Sequence, residues 1–387
     1  MKQKKDTLIY KLIIAVILGS GLGFIANTDV IGVIGMIKYI LGQLIFFMIP
    51  LIIIGFVGSS IASLKSGASK LLSFSIGSAY ISTLGAALFS MIAGFIIIPN
   101  LNISAEISDL RELPELIFEL NIPPVMSVMS ALVLAILLGL SISWSKANTM
   151  LNLLNDFQSM ILNIIHKIVM PILPFFIGAT FAELAYEGSI TKHLPVFISV
   201  LLIVLVGHFI WLFVLYLIAG IYAKENPKEV FKYYAPAYVT AVGTMSSAAT
   251  LPVALSSAQK SKILRKDMVD FGIPLFANIH LCGSVLTEVF FVMVVSVILY
   301  GSLPSFSQML VFVVLLGVFG IGAPGVPGGT VMASLGLITG VLGFDASGTA
   351  LVLTIFALQD SFGTACNVTG DGALTLLLSR YADKNNL

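Results

Sequence analysis

Eight stretches of this chain are apolar over a length that fits the hydrocarbon of a bilayer, and no other feature limits its fold as strongly. They run near residues 8–26, 37–62, 73–99, 125–145, 158–185, 195–222, 271–300 and 347–379. About 20 consecutive apolar residues in a helix cross roughly 30 Å of lipid, where the backbone must satisfy its own hydrogen bonds. The expected fold is an all-α membrane protein with eight transmembrane helices. Composition agrees, since hydrophobic residues fill 58% of 387 positions and charged residues 10%, against about 25% charge in a soluble domain. A net charge of +1 leaves no basic stripe for nucleic acid. The cysteines, Cys282 and Cys366, both lie in apolar runs and imply no disulfide framework. The opening Met1-Lys2-Gln3-Lys4-Lys5 has the basic start of a signal peptide but no convincing small-residue cleavage site, so the first run is read as a retained span.

Charge orients the spans. Cytoplasmic loops carry excess Lys and Arg. With Lys2, Lys4 and Lys5 inside, Lys65 and Lys70, Lys146, and Lys224, Lys228 and Lys232 also fall inside. The loop 100–124 falls outside and is acidic, with Glu106, Asp109, Glu112, Glu115 and Glu119 against Arg111. Lys260, Lys262, Arg265 and Lys266 belong inside as well, so the small-residue stretch 233–258 begins and ends on one side. It is expected to enter and return. The stretch 309–345 should do the same from the outside, because one true span, 347–379, then brings Arg380 and Lys384 inside. Its core, Gly320 to Gly329, holds Pro324, Pro327 and several glycines and cannot remain a regular helix. Irregular backbone at membrane depth survives where protein buries it or where it lines a watery cavity. Two opposed re-entrant hairpins, each followed by a span, suggest an inverted repeat meeting at a midplane site.

The last span carries Asp360, Thr364, Asn367 and Asp371. At about 100° per residue these spacings put all four on one helical face, which lipid would reject. Ligand or cation binding is the first reading, and a structural polar seam between helices the second. Thr244 to Pro252 in the first hairpin offers serines at a helix break, suited to a carboxylate. Small residues also serve ordinary helix packing. The seventh span holds Asn278, His280, Cys282, Ser284 and Glu288. Glu288 among apolar neighbours is protonated, paired or part of an ion path. His280 is either a proton site or a hydrogen-bonded core residue. His208 and Trp211 read as a packed or lipid-boundary pair. No Ser/His/Asp set or metal-ligand cluster presents itself, and an enzyme is not expected.

These residues resemble the dicarboxylate/amino acid:cation symporters, which include the archaeal aspartate transporters and the animal excitatory and neutral amino acid transporters. The resemblance is carried by Asn367-Val368-Thr369-Gly370-Asp371 in the last span and by Ser246-Ser247 with Thr250-Leu251-Pro252-Val253 in the first hairpin. Gly325-Val326-Pro327-Gly328-Gly329 resembles the second tip, Ile273-Pro274-Leu275 the start of the seventh span, and Tyr80 with Thr83 the cation-binding part of the third. It implies an elevator-type homotrimer. Scaffold elements would be about 8–62 and 125–185, and transport elements about 73–99 and 195–380. By family role Asp360 would receive the substrate ammonium, with Thr364 on the same face. Asn367, Ser246, Ser247 and the Val326 backbone would hold the α-carboxylate. Sodium would lie at Asp371 and Asn367, with Tyr80, Thr83 and Asn278 as further cation-binding residues.

Departures from the family pattern shape the expected function. Where acidic-substrate members place an arginine, this chain has Gly363, which would leave room for a side chain, and the other arginine position is Met245. No cation then offsets desolvation of a second substrate carboxylate. A small neutral amino acid such as serine, threonine or alanine is the expected substrate, carried by symport or exchange. The family's Asn-Met-Asp-Gly-Thr appears as His280-Leu281-Cys282-Gly283-Ser284, and a thiol and an imidazole are poor ligands for a hard cation. One sodium site is therefore expected to be lost, with Glu288 and His280 as candidate proton sites. The alternatives are an acidic amino acid or dicarboxylate transporter, or a channel or sensor with degraded coupling. The expected location is the cell membrane, multi-pass, with both termini cytoplasmic.

Overall fold

The computed structural model describes residues 8–59, 62, 70–101, 111–116, 118, 120–126, 128–323 and 328–387. Those residues form helices and connecting turns, with no strand among them. Helix α1 (Leu8–Ile25) gives way to α2 (Thr28–Ile53), where Asn27 accepts the Val30 N–H at 3.0 Å and caps the new helix. A π-helical turn, Ile54–Gly58, extends α2. Helices α3 (Lys70–Ile97) and α4 (Val128–Ser145) follow. Next, α5 (Asn148–Ile164) continues through the π-helical turn Ile165–Val169 into α6 (Met170–Glu187). The fifth apolar stretch thus belongs to a longer helical run than its hydropathy alone marks. The chain turns at Gly188 into α7 (Ser189–Ala223).

Beyond the short helix Lys228–Phe231, α8 (Ala235–Thr244) and α9 (Ser247–Ala258) pack against each other across a turn at Met245, which adopts φ 52°. Helix α10 (Lys266–Ile279) stops at His280 and restarts as α11 (Cys282–Tyr300). The sequence reading has one unbroken span here. A second packed pair is α12 (Phe306–Gly322), opened by a reciprocal Ser305–Gln308 capping box, and α13 (Gly329–Gly340). Last comes α14 (Ala346–Lys384), capped by Asp345, which accepts the Gly348 N–H at 2.8 Å. It bends by 59° between the arms Leu351–Ala357 and Gln359–Lys384.

Four stretches among the described residues are long and apolar enough to cross a membrane, namely Thr28–Ile53, Lys70–Asn100, Phe197–Ala223 and Lys266–Tyr300. The bent α14 makes a fifth.

Contacts between chain ends sort the bundle into two poles. At one, Phe74 stacks on Tyr381 with centroids 4.0 Å apart, and Lys384 lies 4.0 Å over the Tyr222 ring. Arg265 reaches Asp383 at 3.1 Å there. At the other, the Tyr300 hydroxyl donates to Asp345 at 2.8 Å, Phe344 packs edge-on to Tyr300, and Phe306 lies beside Phe95. The pair α12/α13 therefore leaves from and returns to the second pole.

Close packing of backbones holds the bundle together. A Cβ on Gly19 of α1 would come within 2.1 Å of the Gly178 carbonyl on α6, so only glycine lets these helices cross there. At the centre, α14 packs on α7, α8, α10 and α11. Helix α11 is apolar on every side and buried along most of its length, as expected of a core helix.

Candidate functional site

The polar row of α14 lies beyond the bend, and Asp360, Thr364, Asn367 and Asp371 are all buried. Each belongs to a different local arrangement. Asp360 Oδ2 accepts the Gly328 N–H at 2.6 Å, and its carboxylate also bonds to Thr364. Gly328, at φ 71°, opens α13, so Asp360 ties the last helix to the tip of the second hairpin. The backbone there needs the left-handed freedom of glycine. Val326 and the tip residues 324–327 lie outside the described residues.

Asn367 reaches the start of α11. Its amide oxygen accepts the Gly283 N–H at 2.7 Å and the Ser284 N–H at 3.2 Å, while its amide nitrogen donates to Ser284 Oγ at 2.9 Å. The first N–H groups of a helix lack intrahelical partners. Asn367 therefore caps α11 from a neighbouring helix. The helices come close because Gly283 is small: a Cβ there would lie 2.4 Å from both the Gly363 carbonyl and Cys366 Cβ. The room expected beside Gly363 is filled by Ser284, whose backbone N and Cα lie 3.3 Å from where a Gly363 side chain would start.

Asp371 meets the break itself. His280 Nδ1 stands 2.9 Å from Asp371 Oδ1, and Nε2 stands 2.9 Å from Ser82 Oγ on α3. The imidazole is completely buried. Thr83, next on α3, accepts the Leu281 N–H at 3.4 Å. Asp371 Oδ2 has no hydrogen-bond partner among the described residues. Cys282 points towards Cys366, with Sγ atoms 4.0 Å apart.

The other expected residues surround this core. Ser246 caps α9 by accepting the Ala249 N–H at 3.2 Å, and Ser247 is buried beside it. Glu288 is buried on α11 and accepts from the Ser334 hydroxyl of α13, while its Oε2 has no partner among the described residues. Tyr80 is half-buried and faces Gly317 of α12. Asn278 is exposed and donates to Pro274 O at 2.7 Å on its own helix, so it stays outside the buried cluster.

For His208 the packed alternative holds. It is buried, not at a lipid boundary, and its Nε2 lies 2.9 Å from Thr287 Oγ1 and 3.1 Å from the Gly283 carbonyl. The available signal was a histidine inside a long apolar run, which must find partners when buried.

Buried carboxylates at a broken helix in an apolar bundle are the kind of feature that marks functional sites inside multi-pass membrane proteins. The sequence pattern of the Sodium:dicarboxylate symporter family matches residues 8–381, and the chain belongs to that family. It is 25% identical over 265 residues to the human neutral amino acid transporter B(0), covering 67% of this chain and 48% of that protein. It is 28% identical over 264 residues to excitatory amino acid transporter 3 of Bos taurus, covering 67% and 49%. An excitatory amino acid transporter of Caenorhabditis elegans is 26% identical over 266 residues, covering 66% and 51%. The chain spans about half the length of the curated relatives it matches. These relatives are transporters, and the chain is not read as an enzyme.

The sodium in the family's description was tested against these side chains. Asp371 Oδ1 faces an imidazole, Asn367 Oδ1 takes two N–H groups, Thr83 Oγ1 takes another, and Cys282 offers a thiol. Hard cations need several oxygens at once. Of these groups Asp371 Oδ2 alone is left without a protein partner among the described residues, and a single oxygen does not make a hard-cation site.

Proposed function

We propose that this chain is a secondary transporter of small neutral amino acids such as serine, threonine or alanine. One observation carries the substrate class. Asp360, Asp371, Glu288 and Glu183 are buried, yet no lysine or arginine is among the buried residues described, and the partly buried Lys38 is taken up by Glu183. A substrate with one ammonium and one carboxylate can be matched by Asp360 and by helix-start N–H and hydroxyl groups. A second carboxylate would be desolvated beside acids with no cation to offset it. In this reading Asp360 receives the ammonium, with Thr364 setting its carboxylate. Asn367, Ser246 and Ser247 address the α-carboxylate with the backbone at Val326, and Gly363 sets how closely α11 approaches.

The wider reading has eight crossings, re-entrant hairpins α8/α9 and α12/α13 related as inverted repeats, and an elevator movement. Helices α3 and α7–α14 would move against a scaffold of α1, α2 and α4–α6 that trimerises. The basic pole, with Lys224, Lys260, Arg265 and Lys384, would face the cytoplasm of a cell membrane and hold both termini. Its support is the Arg265–Asp383 and Lys384–Tyr222 contacts, which bring three basic segments to one end. Coupling would use fewer sodium ions than the family pattern implies, with a proton carried by Glu288 between α11 and α13.

The test is uptake into proteoliposomes. Serine or alanine should accumulate under an inward proton gradient without sodium, aspartate should not compete, and Asp360→Asn should abolish uptake. Accumulation of aspartate in preference to serine would contradict the substrate class. Uptake that requires sodium, with pH dependence unchanged in Glu288→Gln, would contradict the proton route.

A further inference from the structure

Sodium is implied by the family and refused by the side chains, and the refusal has a specific geometry. A broken helix needs something to hold its two ends, because the break leaves N–H and C=O groups without intrahelical partners. A cation bound by several oxygens can do this. Here protein groups already do it. Asn367 takes the N–H groups of Gly283 and Ser284, and Thr83 takes that of Leu281. The His280 N–H returns to the Phe276 carbonyl at 2.9 Å, closing α10. His280 then joins three elements through its side chain, with Ser82 of α3 on one ring nitrogen and Asp371 of α14 on the other.

We infer that the buried relay Ser82–His280–Asp371 stands in place of a bound sodium ion, so that the α10–α11 break and the substrate site around it assemble without a cation. Two kinds of observation support this independently. The relay bonds occupy one oxygen of Asp371, the carboxylate to which the resemblance gives sodium, and tie it to Ser82, next to Thr83 on α3. The cap at Asn367 uses its only side-chain oxygen on backbone N–H groups, leaving an amide nitrogen that a cation would repel. Cys282, the remaining replacement, is turned to Cys366 and brings sulfur, not oxygen. The inference rests on the transport reading only for its consequence, that sodium does not organise the substrate site.

The experiment is hydrogen–deuterium exchange on the purified full-length protein, in sodium chloride against N-methylglucamine chloride, with no substrate added. Exchange reads the free energy of local opening, so equal protection within about twofold at 281–285 in both salts is the expected result. His280→Ala should raise exchange at those amides about tenfold or more in either salt, since a buried hydrogen-bonded link is lost. Slowing of wild-type exchange there by about tenfold in sodium would overturn the inference, as a cation would then be holding the break. Unchanged exchange in folded His280→Ala would overturn it too. If that variant does not fold, the wild-type comparison of the two salts decides alone. No amino acid is present, so a wrong substrate assignment leaves this result standing.

Discussion

The α1–α6 crossing and the α11–α14 crossing solve the same steric problem for different ends. In both, glycine lets one backbone reach another: Gly19 and Gly23 against the carbonyls of Gly178 and Ala182, and Gly283 against the carbonyl of Gly363. At α1–α6 the helices run unbroken through the contact. At α11–α14 the contact sits where α11 begins, so unpaired N–H groups and the side chains of Asn367, His280 and Asp371 meet in the same place. The first crossing is a joint. The second is a joint that also gathers buried polar groups, with Asn367, His280, Asp371 and Thr83 meeting there, while Asp360, Glu288 and Ser246 sit in arrangements of their own.

Substitutions can break that distinction, and the largest effect belongs to the polar row. Asp360→Asn removes the charge proposed for the substrate ammonium; a hydrogen bond to a charged group is worth about 1.5–3 kcal/mol, so uptake should fall by about 10- to 150-fold. Thermal unfolding of the same variant should show a folded protein. Next come the glycines. Gly19→Ala must push α1 from α6, and overpacking of this kind costs about 1–3 kcal/mol, lowering Tm while substrate affinity per folded molecule stays unchanged. Gly283→Ala meets the Gly363 carbonyl and Cys366 Cβ at 2.4 Å and should lower both Tm and affinity. Equal effects of these two variants on affinity would erase the distinction.

Smaller effects sharpen it. Asn278→Ala should change uptake by less than about fivefold, because its amide bonds only its own helix and that exposed bond is worth about 1 kcal/mol at most. A larger loss would return Asn278 to the cation-binding set. Gly21→Ala, with nothing within 4 Å of the new methyl, should hold or raise Tm, since alanine in a helix gains about 0.5–1 kcal/mol over glycine.

Local pattern explains what could be read from the sequence. The α14 row was legible because spacings of helical period survive in any helix, and the bend falls before Asp360. Both hairpins announced themselves by small residues, proline and glycine inside apolar stretches. The break at His280 and Leu281 did not, because neither residue is a helix breaker. It is held open by Ser82, Thr83, Asn367 and Asp371, which lie far along the chain. His208 stayed between packing and a lipid boundary for the same reason, since its partners Gly283 and Thr287 are on another helix. The ion pair between Lys38 on α2 and Glu183 on α6 also passed unnoticed, each charge appearing as an isolated interruption of an apolar run. Gly363 was read as open space, and only packing shows Ser284 against it.

Asp360, Asp371 and Glu288 lie buried with no buried lysine or arginine among the described residues, and this should select an amino acid carrying a single carboxylate. Direct binding to the purified protein tests it with the fewest assumptions, by a thermal-shift titration of serine, alanine and threonine against aspartate and glutamate. A ligand that binds only the folded state raises its apparent stability with the logarithm of its concentration above Kd. The expected result is a concentration-dependent rise in Tm with at least one neutral amino acid, lost in Asp360→Asn, and none with aspartate. A larger rise with aspartate than with every neutral amino acid would contradict it.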